Sequence, residues 1–118
     1  MAEESKKRVR NINEATIREL AKKSTNAHVL KYFLEVDDLS YAQEISDAIR
    51  EDPAKVSFSL FKLNSCGLII EEEQTADSRV NYFRILDKAS AKKVIDRYEW
   101  MKGKEFEVQQ GRSETEEV

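Results

Sequence analysis

The sequence predicts a mainly α-helical fold with one small β-hairpin, in the α+β class. Apolar residues recur at helical spacing in five separate segments, which is the pattern of amphipathic helices. Between the fourth and fifth of these segments lie two short runs that contain β-branched and aromatic residues, 68–73 and 80–86. A polar turn at 74–79 separates the two runs. A length of 118 residues with 40% hydrophobic content fits one domain with one modest core.

Composition limits both the class of protein and the cellular compartment that we expect. No apolar run approaches the ~20 residues that a membrane span needs. The single cysteine, Cys66, excludes an internal disulfide and is typical of a reducing compartment, so we expect a cytoplasmic protein. The net charge is −3, but basic residues outnumber acidic ones in segments 1–30, 55–70 and 78–104. Such a distribution is compatible with a nucleic-acid binder despite the acidic total.

The two ends of the chain differ from its middle. Residues 1–11 hold four basic residues and little apolar content, and we interpret them as a basic flexible arm. Residues 107–118 are polar and acidic, and we interpret them as a disordered acidic tail. The folded domain is therefore predicted over 12–106, with its first and last helices available to pair two protomers.

Three amphipathic helices are predicted in the first half, over 12–23, 26–36 and 40–50. Their predicted boundary residues are Ser24 and Thr25 as caps of the second helix, Asp37 and Asp38 at its end, and a capping box of Ser40 with Gln43 before the third.

A fourth helix, 53–66, has the clearest start and stop signals. Asp52 is a predicted N-cap, and Pro53 occupies the first helical position, where its missing N–H is not needed. Gly67 fits the left-handed position that closes a helix. The predicted core stripe of this helix is Val56, Leu60 and Leu63.

The hairpin and a last helix complete the predicted elements. In the returning strand, Tyr82 and Arg84 share one face, and the acidic run 71–73 can pair with Arg79 or Arg84 across the hairpin. Asp87 is the predicted cap of a helix over 88–102 that ends at Gly103.

This order of elements is that of a winged helix-turn-helix, and the motifs resemble those of ArsR- and MarR-like regulators of a small archaeal type. AKVSFSLFKLNSCGLI (54–69) resembles their recognition-helix segment, LSYAQEISDAI (39–49) the preceding helix, and RVNYFRI (79–85) the returning wing strand. The resemblance implies a homodimer that binds double-stranded DNA sequence-specifically as a transcription regulator. It also implies that helix 53–66 enters the major groove while the wing, 68–86, lies on the flanking backbone.

The outward face of the fourth helix carries the candidate site. At about 100° per residue, Phe58 and Phe61 point away from the core stripe and Lys55 and Lys62 flank them. In a DNA complex the lysines would contact phosphate or guanine, the serines base edges or phosphate, and a phenylalanine thymine methyl groups. The predicted DNA-binding residues are Lys55, Ser57, Phe58, Ser59 and Lys62 on the helix, and Arg79, Tyr82 and Arg84 on the wing.

Two other interpretations of this face remain open. An aromatic pair ringed by charge is also typical of a protein-binding hot spot, so a winged-helix interaction module is the alternative function. Phe61 could instead pack beneath the wing or the preceding helix, which would leave only Phe58 exposed.

The sequence does not indicate enzymatic or metal chemistry. No glycine-rich phosphate loop or recognisable nucleophile–base spacing occurs, so no enzyme is predicted. His28 and Cys66, the only imidazole and thiol, lie in different helices, whereas a zinc site needs three or four protein ligands. We therefore predict no metal and no cofactor; a small-molecule effector is not identifiable.

Overall fold

The computed structural model describes residues 12–72 and 80–117 as five helices and a three-stranded sheet. The predicted basic arm and the wing tip with Arg79 lie outside the described residues. In chain order the elements are α1 (Glu14–Ala21), α2 (Ser24–Val36), β1 (Ser40–Tyr41), α3 (Ala42–Ile49), α4 (Pro53–Ser65), β2 (Ile69–Glu72), β3 (Tyr82–Ile85) and α5 (Lys88–Glu117). The predicted fold class is confirmed.

Helix α4 begins and ends where the sequence predicts. The backbone N–H of Ala54 donates to the Asp52 carboxylate at 2.9 Å, and Pro53 occupies the first turn. Gly67 has φ 85°, a left-handed conformation that glycine adopts without steric cost. Both predicted boundary signals of this helix are confirmed.

The predicted caps of α2 and α3 are wrong. Lys23 is the N-cap of α2, and its side chain makes no capping hydrogen bond. Thr25 instead donates to Glu51 at 2.5 Å, because the fold brings these two distant residues together. Ser40 lies in β1 rather than in a capping box, since its backbone pairs with Phe83 of the sheet.

The sheet has the antiparallel order β1–β3–β2. The predicted pairing of the two long strands is confirmed, with Ile69 opposite Ile85 and Glu72 opposite Tyr82. The two-residue strand β1 was not predicted, because so short a strand has no alternation of its own. It ties the start of α3 to the wing.

Helix α5 is longer than predicted. The sequence places its end at Gly103, but the helix continues through that residue to Glu117, and the predicted end is wrong. The helix contains two glycines, Gly103 and Gly111. Each costs a helix only about 1 kcal/mol relative to alanine, and good helix formers surround both. The helix therefore includes residues 107–117, which the sequence assigned to a disordered tail. The division into arm, domain and tail otherwise stays a prediction.

The core lies where α2 meets α4, α5 and the sheet. Phe33 of α2 is fully buried at its centre, and the predicted stripe of α4 is buried beside it. The other large fully buried residues are Leu20, Leu30, Ile45, Leu68, Ile69, Val29 and Val94. The outer face of α4 is thereby held rigidly away from the core. Within the described residues, no helix is long and apolar enough to cross a membrane.

Candidate nucleic-acid interface

A tight turn of three residues, 50–52, joins α3 to α4 and sets the direction of α4. Arg50 closes α3 in a left-handed conformation with φ 59°. The Ser46 hydroxyl donates to the backbone oxygen of Glu51 at 2.5 Å, and the Glu51 N–H donates back to the Ser46 carbonyl at 3.2 Å. These bonds fix α4 relative to α3 in helix-turn-helix geometry.

The carboxylate of Glu51 anchors the same turn to α2. It accepts hydrogen bonds from Thr25 and from Nδ1 of His28. Burial alone would raise the pKa of Glu51, but the hydrogen bonds from His28 and Thr25 outweigh it and hold the pKa below the usual value. The turn is thus connected to the domain by a charge-assisted contact as well as by the core.

Both phenylalanines of α4 are on its surface. Phe58 is 62% exposed and Phe61 is 68% exposed. The interpretation that Phe61 packs beneath a neighbouring element is therefore wrong. Lys55 and Lys62 are exposed beside them, as the helical spacing predicts. The outward face of α4 therefore carries two aromatic rings and two lysine side chains.

Ser59 does not belong to this surface. It is 3% exposed, and its hydroxyl donates to Oδ1 of Asn26 at 2.6 Å. Asn26 in turn donates to the backbone oxygen of Leu20 at 3.0 Å. The prediction that Ser59 contacts DNA is wrong, because its position one turn from Val56 places it against α2. Ser57 remains exposed.

The outer face of the wing carries Tyr82 and Arg84, as predicted from strand alternation. Arg84 donates to the Glu72 carboxylate, so the predicted pairing across the hairpin is confirmed for this arginine. Tyr82 packs edge-on against Tyr41 of β1, with ring centroids 5.4 Å apart. Arg84 is the only arginine within the described strands, and its guanidinium is already paired with the carboxylate of Glu72.

Two grooves flank the exposed face of α4, and they differ in charge. The wing-side groove is lined by apolar and aromatic residues together with neutral polar side chains and one acid. Its polar residues are Gln43, Ser57, Asn64, Asn81 and Glu71. The opposite groove lies between α4 and the junction of α1 with α2 and is lined by Lys22, Lys23 and Lys55. No local signal in the sequence marks Lys22, Lys23 or Gln43, because only the tertiary fold brings them beside α4.

The described part of the chain contains no group of three or more histidine, cysteine or acidic residues that could hold a metal ion. His28 is engaged with Glu51 and lies edge-on to Tyr98. Cys66 is half-buried at the end of α4.

Comparison with solved structures shows the same fold in bacterial regulators. YusO from Bacillus subtilis aligns with a TM-score of 0.55 at 18% identity, over 79% of this chain and 71% of that one, which shows the fold alone. ZitR from Lactococcus lactis, described as a zinc-responsive MarR family member, aligns with a TM-score of 0.52 at 26% identity. The alignment covers 75% of this chain and 62% of the ZitR chain. A ZitR variant in complex with DNA aligns with a TM-score of 0.51 at 27% identity, over 73% of this chain and 59% of its own.

The winged-helix fold is thus established, and these neighbours support the MarR-like part of the predicted resemblance. The chain spans 59–62% of the length of these two ZitR chains. No protein-family model matches the sequence, and no curated protein is detectably similar to it. The ArsR-like part and the archaeal type stay predictions.

Proposed function

We propose that this protein is a cytoplasmic transcription regulator that binds double-stranded DNA sequence-specifically. Helix α4 lies in the major groove, and the wing, 68–86, lies on the flanking backbone. The observation that carries the proposal is the outward face of α4, where Phe58, Phe61, Lys55 and Lys62 are all exposed on a helix-turn-helix. The DNA complex of a structural neighbour supports this choice of ligand.

Each exposed residue of α4 has a role in the proposed complex. Lys55 and Lys62 contact phosphate oxygens or guanine, because an ammonium group donates to either. Ser57 contacts a base edge or a phosphate. Phe58 and Phe61 pack against thymine methyl groups, the apolar feature of the major groove. On the wing, Arg79, Tyr82 and Arg84 contact the backbone.

The active species in this proposal is a homodimer paired through its terminal helices. Trp100 of α5 is 56% exposed, and Arg97 lies over its ring at 5.4 Å. Exposed tryptophan beside arginine is a composition typical of interface hot spots. A twofold dimer would place two copies of α4 into half-sites about one DNA turn apart.

The test is fluorescence anisotropy of the purified protein on duplex DNA from upstream of its own gene and on a scrambled duplex, at low and near-physiological salt. Preference for the upstream duplex that survives salt supports a sequence-specific regulator. Equal, weak binding that disappears at physiological salt contradicts it, because non-specific binding is almost wholly electrostatic.

The exposed phenylalanine pair also favours a second candidate, a protein-interaction module. In that case the Phe58/Phe61 face binds a protein partner, and Phe58→Ala abolishes that binding while Lys55→Ala and Lys62→Ala have little effect. For a DNA reader the two lysine variants lose affinity for every duplex and reduce its dependence on salt.

A further inference from the structure

The groove between α4 and the α1–α2 junction brings three lysines to one side of the recognition helix. Lys22 and Lys23 come from the junction, and Lys55 comes from the first turn of α4. The ammonium group of Lys23 lies 6.0 Å from the centroid of the Phe58 ring, within the range of a cation–π contact. The junction therefore borders the exposed face of α4 directly.

The side chains that line this groove are positively charged or neutral, and none of them carries a carboxylate. Glu51 lies behind the wall, where its carboxylate accepts from Thr25 and interacts electrostatically with Lys55. Lys22 pairs with Glu19 at 3.5 Å, but both side chains are more than 60% exposed, and such surface pairs contribute little. The wing-side groove, in contrast, contains Glu71. Positive potential is thus concentrated on the side of α4 that faces away from the wing.

The dimensions of DNA determine what would meet this groove. A helix with its side chains is about 10–12 Å wide, and the major groove is about 12 Å wide. A helix that enters the major groove therefore fills it. The parts of the protein that lie immediately on either side of the inserted helix must then face the phosphates that border the groove.

We propose that Lys22 and Lys23 form a second contact with the DNA backbone, together with Lys55. This inference rests on the proposed function and extends it. The contact adds affinity without sequence preference, because phosphates are the same at every base pair. Arg84 of the wing is already paired with Glu72. Among the described residues, the lysines at the α1–α2 junction therefore make the principal contact with phosphate in this proposal.

The experiment measures DNA affinity against salt for Lys22→Gln/Lys23→Gln. We expect weaker binding to upstream and scrambled duplexes alike. The slope of log affinity against log salt should be shallower by about 0.9 for each phosphate that the variant no longer neutralises. Lys22→Arg/Lys23→Arg should keep the wild-type slope, because the charge is retained. Lys31→Gln/Lys92→Gln is the matched control, since it removes the same charge from a groove between α2 and α5.

A slope in Lys22→Gln/Lys23→Gln equal to that of the control, in a protein that otherwise binds DNA, overturns the second contact and leaves the proposed function intact. Absence of DNA binding by the wild-type protein overturns both. Circular dichroism of the four proteins checks that each is folded as the wild type is.

Discussion

The Ser59 hydroxyl donates a hydrogen bond of 2.6 Å to the side-chain oxygen of Asn26, and both residues are buried. This bond joins α4 to α2 inside the domain. We expect Ser59→Ala to lower the free energy of unfolding by about 1–3 kcal/mol, because it leaves a buried acceptor without a donor. Urea denaturation measures the change.

The neighbouring serine provides the control for that prediction. Ser57 is exposed, so Ser57→Ala should change stability by no more than about 0.5 kcal/mol. In the proposed complex it should instead weaken DNA binding. Equal stability of Ser59→Ala and Ser57→Ala would mean that the Ser59–Asn26 bond contributes nothing.

The exposed phenylalanines predict a dependence on thymine methyl groups. Replacing thymine by deoxyuracil in the preferred duplex removes the methyl group and keeps the base pair. Each contacted methyl should contribute about 0.8 kcal/mol, or roughly a fourfold change in affinity. In Phe58→Ala/Phe61→Ala the two duplexes should bind equally well. Anisotropy titrations compare the two duplexes. If the wild-type protein bound the thymine and deoxyuracil duplexes with equal affinity, contact with thymine methyl groups would be refuted.

The paired arginine of the wing predicts a gain of binding. The Glu72 carboxylate competes with phosphate for Arg84, so Glu72→Gln should strengthen the proposed contact of this guanidinium with the DNA backbone. We expect tighter DNA binding and a salt slope steeper by about 0.9. Glu35→Gln, on the exposed surface of α2, makes the same change of charge elsewhere and serves as control. If both variants gain equally, net charge rather than Arg84 is responsible.

The Glu51 carboxylate predicts a pH dependence of stability. Because its folded pKa lies below the unfolded value, it stabilises the protein above the usual glutamate range, and this stabilisation is lost as pH falls through the folded pKa. Glu51→Gln should lower the free energy of unfolding near pH 7 by about 1–3 kcal/mol. The difference between variant and wild type should shrink in acid. Urea denaturation at several pH values measures it, and a constant difference would contradict the assignment.

The exposed tryptophan of α5 predicts the effect of a variant on assembly. If Trp100 is a hot spot of a dimer, Trp100→Ala should cost at least about 2 kcal/mol of association, or roughly thirtyfold in affinity. Sedimentation velocity across a range of concentrations would detect the dissociation. Phe58→Ala should remain dimeric. A wild-type protein that is monomeric at all concentrations would exclude the proposed assembly.

Local signals were enough to predict most of the fold. Asp52, Pro53 and Gly67 act through bonds and backbone angles within a few residues, so the sequence reveals the limits of α4. The hairpin was predictable because its strands are close in sequence. The apolar stripe of α4 likewise showed which side of the helix is outward.

Features that depend on distant partners were not predictable. Nothing near Ser59 in the sequence indicates that it is buried, because the acceptor of its hydroxyl is Asn26, 33 residues away. Strand β1 exists because β3 pairs with it, and Lys23 joins the candidate surface because α2 places it beside Phe58. Gly103 is an ordinary stop signal, but the helix continues because the sequence on both sides favours it.

The unequal grooves beside α4 give the proposed interface a polarity. In the proposed complex the three lysines face one of the two phosphate backbones that border the major groove, and Glu71 faces the other. The two strands of a half-site should therefore be held unequally. In a twofold homodimer, the strand that is held more firmly changes from one half-site to the next.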